Sequence, residues 1–232
     1  MHPLNRLFQD FVGLLYPNLC CGCMKPIYFG ESIICTNCLF QIPYTDDYLN
    51  PENRVARQFW ARIKFDAAMA LLKFKKGTSV QNLLHQLKYR GKTELGELLG
   101  KMIGEKLLAS GQFKGVDIVI PVPLHPRKLS QRGYNQSQYI AIGIAQILGC
   151  KVDDKILLKV KETASQTNKG RLSRNENMQD VFQVIKTFDL AGKHVLLIDD
   201  IITTGATIEA CGVELWKAGI GNLSIAAVAF AD

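Results

Sequence analysis

Residues 195–207 read Val-Leu-Leu-Ile-Asp-Asp-Ile-Ile-Thr-Thr-Gly-Ala-Thr. A run of apolar residues ends in two adjacent carboxylates, and a turn of threonines and one glycine opens the next amphipathic stretch. That order predicts a buried strand, a turn and a helix. Backbone N–H groups of Thr204, Gly205, Ala206 and Thr207 have no carbonyl partner at a helix start, so they can surround a phosphate. Hydroxyls of Thr203, Thr204 and Thr207 add donors, and Gly205 permits the turn and a close approach of backbone to ligand. Adjacent carboxylates repel a phosphate, so Asp199 and Asp200 must meet something else, and sugar hydroxyls or a phosphate-bound Mg2+ suit them. Threonine capping alone explains the hydroxyls but leaves the paired acids without a purpose. A Walker A lysine and a G-x-G-x-x-G are both absent, which argues against nucleoside triphosphate and dinucleotide sites.

Two basic segments have the complementary charge. Ile118 to Gln136, IVIPVPLHPRKLSQRGYNQ, follows a strand halted by Pro121 and Pro123 and carries Arg127, Lys128 and Arg132 with no acid. Such a loop can balance a pyrophosphate through charge-assisted bonds, although solvated basic loops are also common. Of the four histidines (His2, His85, His125, His194), only His125 in this loop has a reading beyond surface or core. Leu87-Lys88-Tyr89-Arg90-Gly91 is a second basic cluster, at a predicted helix end where cations also favour the dipole. Thr163 to Asp180 is long and polar, with Gln166, Thr167, Arg171, Arg174 and Asn177, and reads as a lid or a disordered loop.

Five of the seven cysteines fall between Cys20 and Cys38. Cys20 and Cys23 form one C-x2-C, Cys35 and Cys38 a second. Paired knuckles complete a tetrahedral shell of four sulfurs, the arrangement of a structural Zn2+. Disulfides fit poorly with a chain that otherwise reads as cytoplasmic, and a redox motif needs only one pair. Cys21 offers an alternative register to Cys20. Cys150 and Cys211 lie in apolar helical surroundings and read as core. Lys25 is the one basic side chain between Cys20 and Cys38, a poor footprint for nucleic-acid phosphates, so the module is expected to be structural and to dock on the remaining chain.

Around these segments the chain alternates short apolar runs with amphipathic stretches. Strands are expected at 66–74, 116–120, 155–160, 181–185, 194–198 and 223–230, and helices at 80–89, 93–109, 134–148 and 206–218. Strands apolar on both faces, alternating with helices, imply an α/β fold with a parallel sheet covered on both sides. Residues 1–16 are expected to be a packing helix rather than a signal peptide, because Asp10 interrupts the apolar run and the apolar positions follow a helical period. Residues 17–45 are the zinc module, 46–64 a polar linker, and 65–232 the sheet domain. With 47% apolar residues in 232 the chain can bury a real core, and no run is long enough for a membrane span. The net charge of +7 favours anionic partners without choosing among them.

The Asp199–Thr207 run resembles the phosphoribosyl pyrophosphate (PRPP) signature of type I phosphoribosyltransferases. Together with the four cysteines, LKYRG, PVPLHPRKLSQRGYNQ and the Gln166–Phe182 stretch, it resembles the ComF family, phosphoribosyltransferase-like proteins linked to DNA uptake in naturally competent bacteria. The resemblance runs from Cys20 to Phe230. It implies zinc at Cys20, Cys23, Cys35 and Cys38, and the 5′-phosphate of PRPP on Thr203, Thr204, Gly205, Ala206 and Thr207. Asp199 and Asp200 would hold the ribose hydroxyls, with Mg2+ accompanying PRPP. A pyrophosphate loop would lie around Val122, Pro123 and Arg127, with Lys88 and Arg90 assisting and Gln166, Arg171 and Arg174 in a flexible loop. Arg132 to Gln136 is the family hallmark, while Lys169 departs from a position that members commonly fill with an apolar residue. Two functions follow as expectations. One is a glycosyltransferase of nucleoside metabolism that displaces pyrophosphate from PRPP with an unspecified acceptor. The other is a non-catalytic PRPP sensor that docks a competence helicase or other DNA-uptake proteins. A glutaminase half is not expected, because the chain does not begin with a cysteine nucleophile.

Overall fold

The computed structural model describes residues 17–27, 30–161, 181–185 and 189–231. The expected helix at 1–16 and the loop residues Gln166, Arg171 and Arg174 lie outside them. Five strands make one parallel sheet: β1 (Ala67–Phe74), β2 (Ile118–Pro121), β3 (Lys151–Val152), β6 (His194–Ile202) and β7 (Asn222–Ala231), in the order β1-β7-β6-β2-β3. Their residues alternate between two apolar cores. Met69, Leu71, Leu196, Ile198 and Val228 face one side; Ala68, Ala70, Val195, Leu197 and Ile225 face the other. Burial on both faces is why these strands read as continuous apolar runs.

Helices cover both faces. On the first lie α3 (Ser79–Tyr89), α4 (Thr93–Ala109) and α6 (Gln136–Leu148); on the second lie α2 (Arg54–Phe59) and α7 (Ala206–Lys217). From β2 the chain passes through α6 to β3 on one side. From β6 it passes through α7 to β7 on the other. The sheet therefore has its topological switch point between β2 and β6, where α/β folds open a crevice at the strands' carboxyl ends. Pro121 pairs with Ile198, and the Val122 N–H donates to the Ile198 carbonyl at 2.9 Å. The acid pair and the Pro-rich segment thus leave the sheet side by side.

Four expectations change. The passage 46–64 is not a bare linker: α2 buries Val55, Ala56 and Phe59 in the second core. Residues 157–159 (β4) and 182–184 (β5) do not join the parallel sheet but form a separate antiparallel ribbon. The basic loop contains a helix, α5 (Pro126–Arg132), which starts with Pro126 at its first position and ends at left-handed Gly133. Strand β6 continues to Ile202, since Asp199 pairs with Ala227 and Ile201 with Ala229.

The cysteine module, which includes α1 (Thr36–Gln41), packs on the sheet domain. Cys20, Cys21, Ile34, Cys38 and Ile42 join the same core as Leu83, Leu87 and Leu99. Asn82 Nδ2 donates to the Gly22 carbonyl at 2.7 Å. Tyr44 bridges Leu72, Thr45 N–H donates to Leu71 at 3.1 Å, and Lys73 N–H donates to Pro43 at 2.9 Å, so the last residues of the module partly cover the β1 edge.

Candidate functional site at the sheet's switch point

Both carboxylates, in the carboxyl-terminal half of β6, are held by the start of α6. Asn135 caps that helix by accepting from the Ser137 N–H at 3.1 Å, and its Nδ2 donates to the Val122 carbonyl at 3.0 Å. The cap fixes the next two side chains over β6. Gln136 Nε2 donates to Asp200 Oδ2 at 2.7 Å, and Ser137 Oγ donates to Asp199 Oδ1 at 3.2 Å. From the end of α3, Lys88 Nζ reaches Asp200 Oδ2 at 2.9 Å. Arg132 donates to Gln136 Oε1, and the Tyr134 hydroxyl donates to the Leu87 carbonyl, tying α5 and its turn to the same network. Every residue of Arg132-Gly133-Tyr134-Asn135-Gln136 thus contributes to the site. Gly133 takes the left-handed turn, and the others position the acids.

Burial, and after it the neighbouring Asp200 charge, push the Asp199 carboxyl up to about 7; Lys88 and the hydrogen bonds from the Asp200 N–H and Ser137 pull the other way. A cation or a set of sugar hydroxyls at this point would relieve the repulsion. The raised value fixes the sign of a pH effect. Between the ordinary aspartate value and about 7 the folded state holds more protons than the unfolded chain, so this group's contribution falls as pH rises through that window. Asp199→Asn removes the slope. The variant is expected to melt about 2–8 °C higher than the wild type at pH 8, on the order of 1–2 kcal/mol after allowance for partial exposure, with the gap closing toward pH 4. Parallel melting curves at both pH values would contradict this.

The turn that follows is braced from behind. Thr204's carbonyl accepts from Gln58 Nε2 at 2.8 Å and from Arg62 Nη1 at 2.7 Å, and Arg62 Nε is in turn held by Glu209 at 3.0 Å. Gly205 has φ +75, and a Cβ there would stand 2.8 Å from the Phe59 ring. Both conformation and space therefore require glycine. Residues Ala206 and Thr207 begin α7, where the first N–H groups have no intrahelical acceptor.

The structure brings Asp199, Asp200, Lys88 and Val122 together around the start of α6 and adds Gln136, Ser137, Gln58 and Arg62. Pro123 follows Val122 and is buried. Arg90 is exposed beyond α3 and Arg127 is exposed on the first turn of α5. The side chain of His125 caps α5, its Nδ1 accepting from the Arg127 N–H at 3.3 Å. Lys159, from the separate ribbon, feels both Asp199 and Lys128. Burial, followed by Lys128, holds its ammonium below the usual lysine range. Sequence reasoning named Arg132 to Gln136 as a hallmark without a role. The Asn cap before a polar first turn was the available signal for Gln136 and Ser137.

A second cluster lies in the cysteine module. The Sγ atoms of Cys20, Cys23, Cys35 and Cys38 all fall within 4.8 Å of one another and could hold a metal ion. Cys21 does not belong to the set; its N–H donates to the Ile33 carbonyl at 2.9 Å. Burial raises the Cys20 thiol, but donors from the Cys35, Cys23 and Gly22 backbones outweigh it and bring the thiol down to about 7. Cys38 is driven well up, by burial first and then by its sulfur neighbours. Four such thiols cannot all ionise unless a cation joins them. The Cys23–Cys35 sulfur separation of 3.8 Å equals the edge of about 3.8 Å that a tetrahedral shell of bonds near 2.3 Å requires.

Residues 136–232, from the start of α6 through β7, match the phosphoribosyl transferase domain family. Competence protein F of Haemophilus influenzae is 24% identical over 228 residues, covering 89% of this chain and 88% of that one. DNA utilization protein YhgH of Salmonella typhi is 28% identical over 146 residues, or 62% of this chain, and the chain spans 63% of that relative's length. Among solved structures, the glutamine PRPP amidotransferase of B. subtilis, complexed with ADP and GMP, superposes with a TM-score of 0.42 at 18% identity, covering 62% of this chain and 30% of that one. The parallel α/β sheet, covered by helices on both faces, thus contains a segment similar to phosphoribosyl transferase domains and carries an N-terminal four-cysteine module. Among the described residues no helix is long and apolar enough to cross a membrane.

Proposed function

We propose that the chain binds PRPP at the switch point and serves as a phosphoribosyltransferase in DNA uptake. The observation that carries this reading is the placement of two carboxylates in the carboxyl-terminal half of β6, a few residues before a glycine turn and a helix start. The 5′-phosphate would lie on Thr203 to Thr207, with Asp199 and Asp200 toward the ribose hydroxyls. Gln136, Ser137 and Lys88 orient the acids before the ligand arrives, which lowers the cost of ordering them. The pyrophosphate would leave along Val122, Pro123, Lys88 and Arg90, with Arg127 nearby. Mg2+ bound with PRPP would neutralise charge on that leaving group. No covalent nucleophile is needed from the protein, because positioning and electrostatic stabilisation suffice for displacement at the anomeric carbon.

The four-sulfur cluster suits Zn2+ in a structural role, since all four positions are filled by protein. A cytoplasmic setting agrees with reduced thiols kept for a metal. The relatives' names, competence protein F and DNA utilization protein, supply the cellular context. Calorimetric titration of PRPP with Mg2+ tests the binding half of the proposal. Release of pyrophosphate on adding candidate acceptors tests the transfer half; PRPP binding with no release for any acceptor would favour the sensor instead.

A further inference from the structure

Beside the acid pair lies a cavity of about 460 Å3. Its walls include Lys88 and Tyr89 from the end of α3, Lys128 and Arg132 from α5, and Tyr134 from the turn before α6. Among the described residues no carboxylate lines it. Lysine and arginine are donors only; the acceptors in the described lining include the Tyr134 hydroxyl, whose proton goes to the Leu87 carbonyl, and the amide oxygen of Gln131. The Arg132 guanidinium stands 5.3 Å from the centroid of the Tyr89 ring, and that ring is largely exposed. A neutral base or amine would bring N–H donors to a wall that consists mostly of donors. A carboxylate or phosphate would meet three cations, and a flat ring would find an aromatic partner in Tyr89. Lys88 spans the two sites, since its ammonium also contacts Asp200.

We infer that this cavity is the acceptor subsite and that the acceptor is a planar ring bearing an anionic group, either a carboxylate or a phosphate. The acceptor role rests on the PRPP reading; occupancy by such a ligand does not. In the transfer, an unprotonated ring nitrogen gives its lone pair to the anomeric carbon. The bond from that carbon to the pyrophosphate oxygen breaks, and the bonding pair leaves on the pyrophosphate. Tyr89 determines specificity through its ring, while Lys128 and Arg132 select for the anion.

The test is calorimetry on the full chain with orotate (ring carboxylate), phenyl phosphate (ring phosphate), adenine (neutral ring) and pyrophosphate (anion without a ring), each with and without saturating PRPP. At least one of the two ring anions should bind tenfold or more tighter than adenine and remain bound when PRPP is present, and the preferred one tells carboxylate from phosphate. Tyr89→Leu should weaken that ligand at least fivefold and leave PRPP affinity within twofold. Adenine binding as well as both ring anions would overturn the inference. So would Tyr89→Leu weakening PRPP and the ring anion equally, which would make the cavity part of the diphosphate seat. Ring anions that bind a protein deaf to PRPP would sink the PRPP reading alone.

Discussion

Cys20→Ser is expected to abolish the cooperative thermal transition or lower its midpoint by more than 15 °C. Cys20 is wholly buried, accepts N–H bonds from Gly22 at 3.3 Å and Cys35 at 3.2 Å, and is one corner of the four-sulfur cluster. A segment of this size has no adequate core of its own; structural zinc in comparable peptides supplies on the order of 10–16 kcal/mol of folding free energy. Here the consequences spread further, because Cys20, Ile34 and Cys38 share the core of α3 and α4. Chelation of the wild type should reproduce the effect, and elemental analysis should find one metal per chain. Melting that ignores both chelator and substitution would show that the cysteines hold no structural ion.

Gly143→Ala is the second large effect. Helices α4 and α6 meet along glycines, and a Cβ on Gly143 would stand 2.2 Å from the Glu97 carbonyl oxygen, while one on Gly100 would stand 2.1 Å from that of Ile140. Both obstacles are backbone, so a helix must move. Overpacking of this kind costs about 3 kcal/mol, which corresponds to a melting point lower by about 6–12 °C. Displacement of α6 also carries Gln136 and Ser137 away from the acids, so PRPP affinity should fall although residue 143 lies nearly two helical turns from them. A variant that melts like the wild type would mean the helices separate freely.

The acid pair, the glycine turn and the cysteine knuckles were legible because their chemistry lies in consecutive or closely spaced residues. The parallel sheet was legible from strands apolar on both faces. What escaped depends on contacts between distant segments. Val55, Ala56 and Phe59 were masked by Arg54, Arg57 and Arg62, and only the folded chain shows α2 bracing Thr204. Three prolines in 121–126 made the basic segment read as a loop, although Pro126 starts a helix capped by His125. The runs at 155–160 and 181–185 were recognised as strands, but a short apolar run does not encode its neighbour, and these two pair with each other. The hold of Gln136 on Asp200 spans 64 residues; the Asn135 cap marks the helix start locally, but nothing local names its partner.

Titration of PRPP by calorimetry, with and without Mg2+, on the wild type and the Asp199→Asn/Asp200→Asn double variant, probes the pentose-phosphate seat most directly. Saturable, Mg2+-strengthened binding to the wild type and at least a hundredfold loss in a double variant that still folds is the expected result. A wild type that gives no heat with PRPP, or a double variant that binds it equally well, would contradict the account.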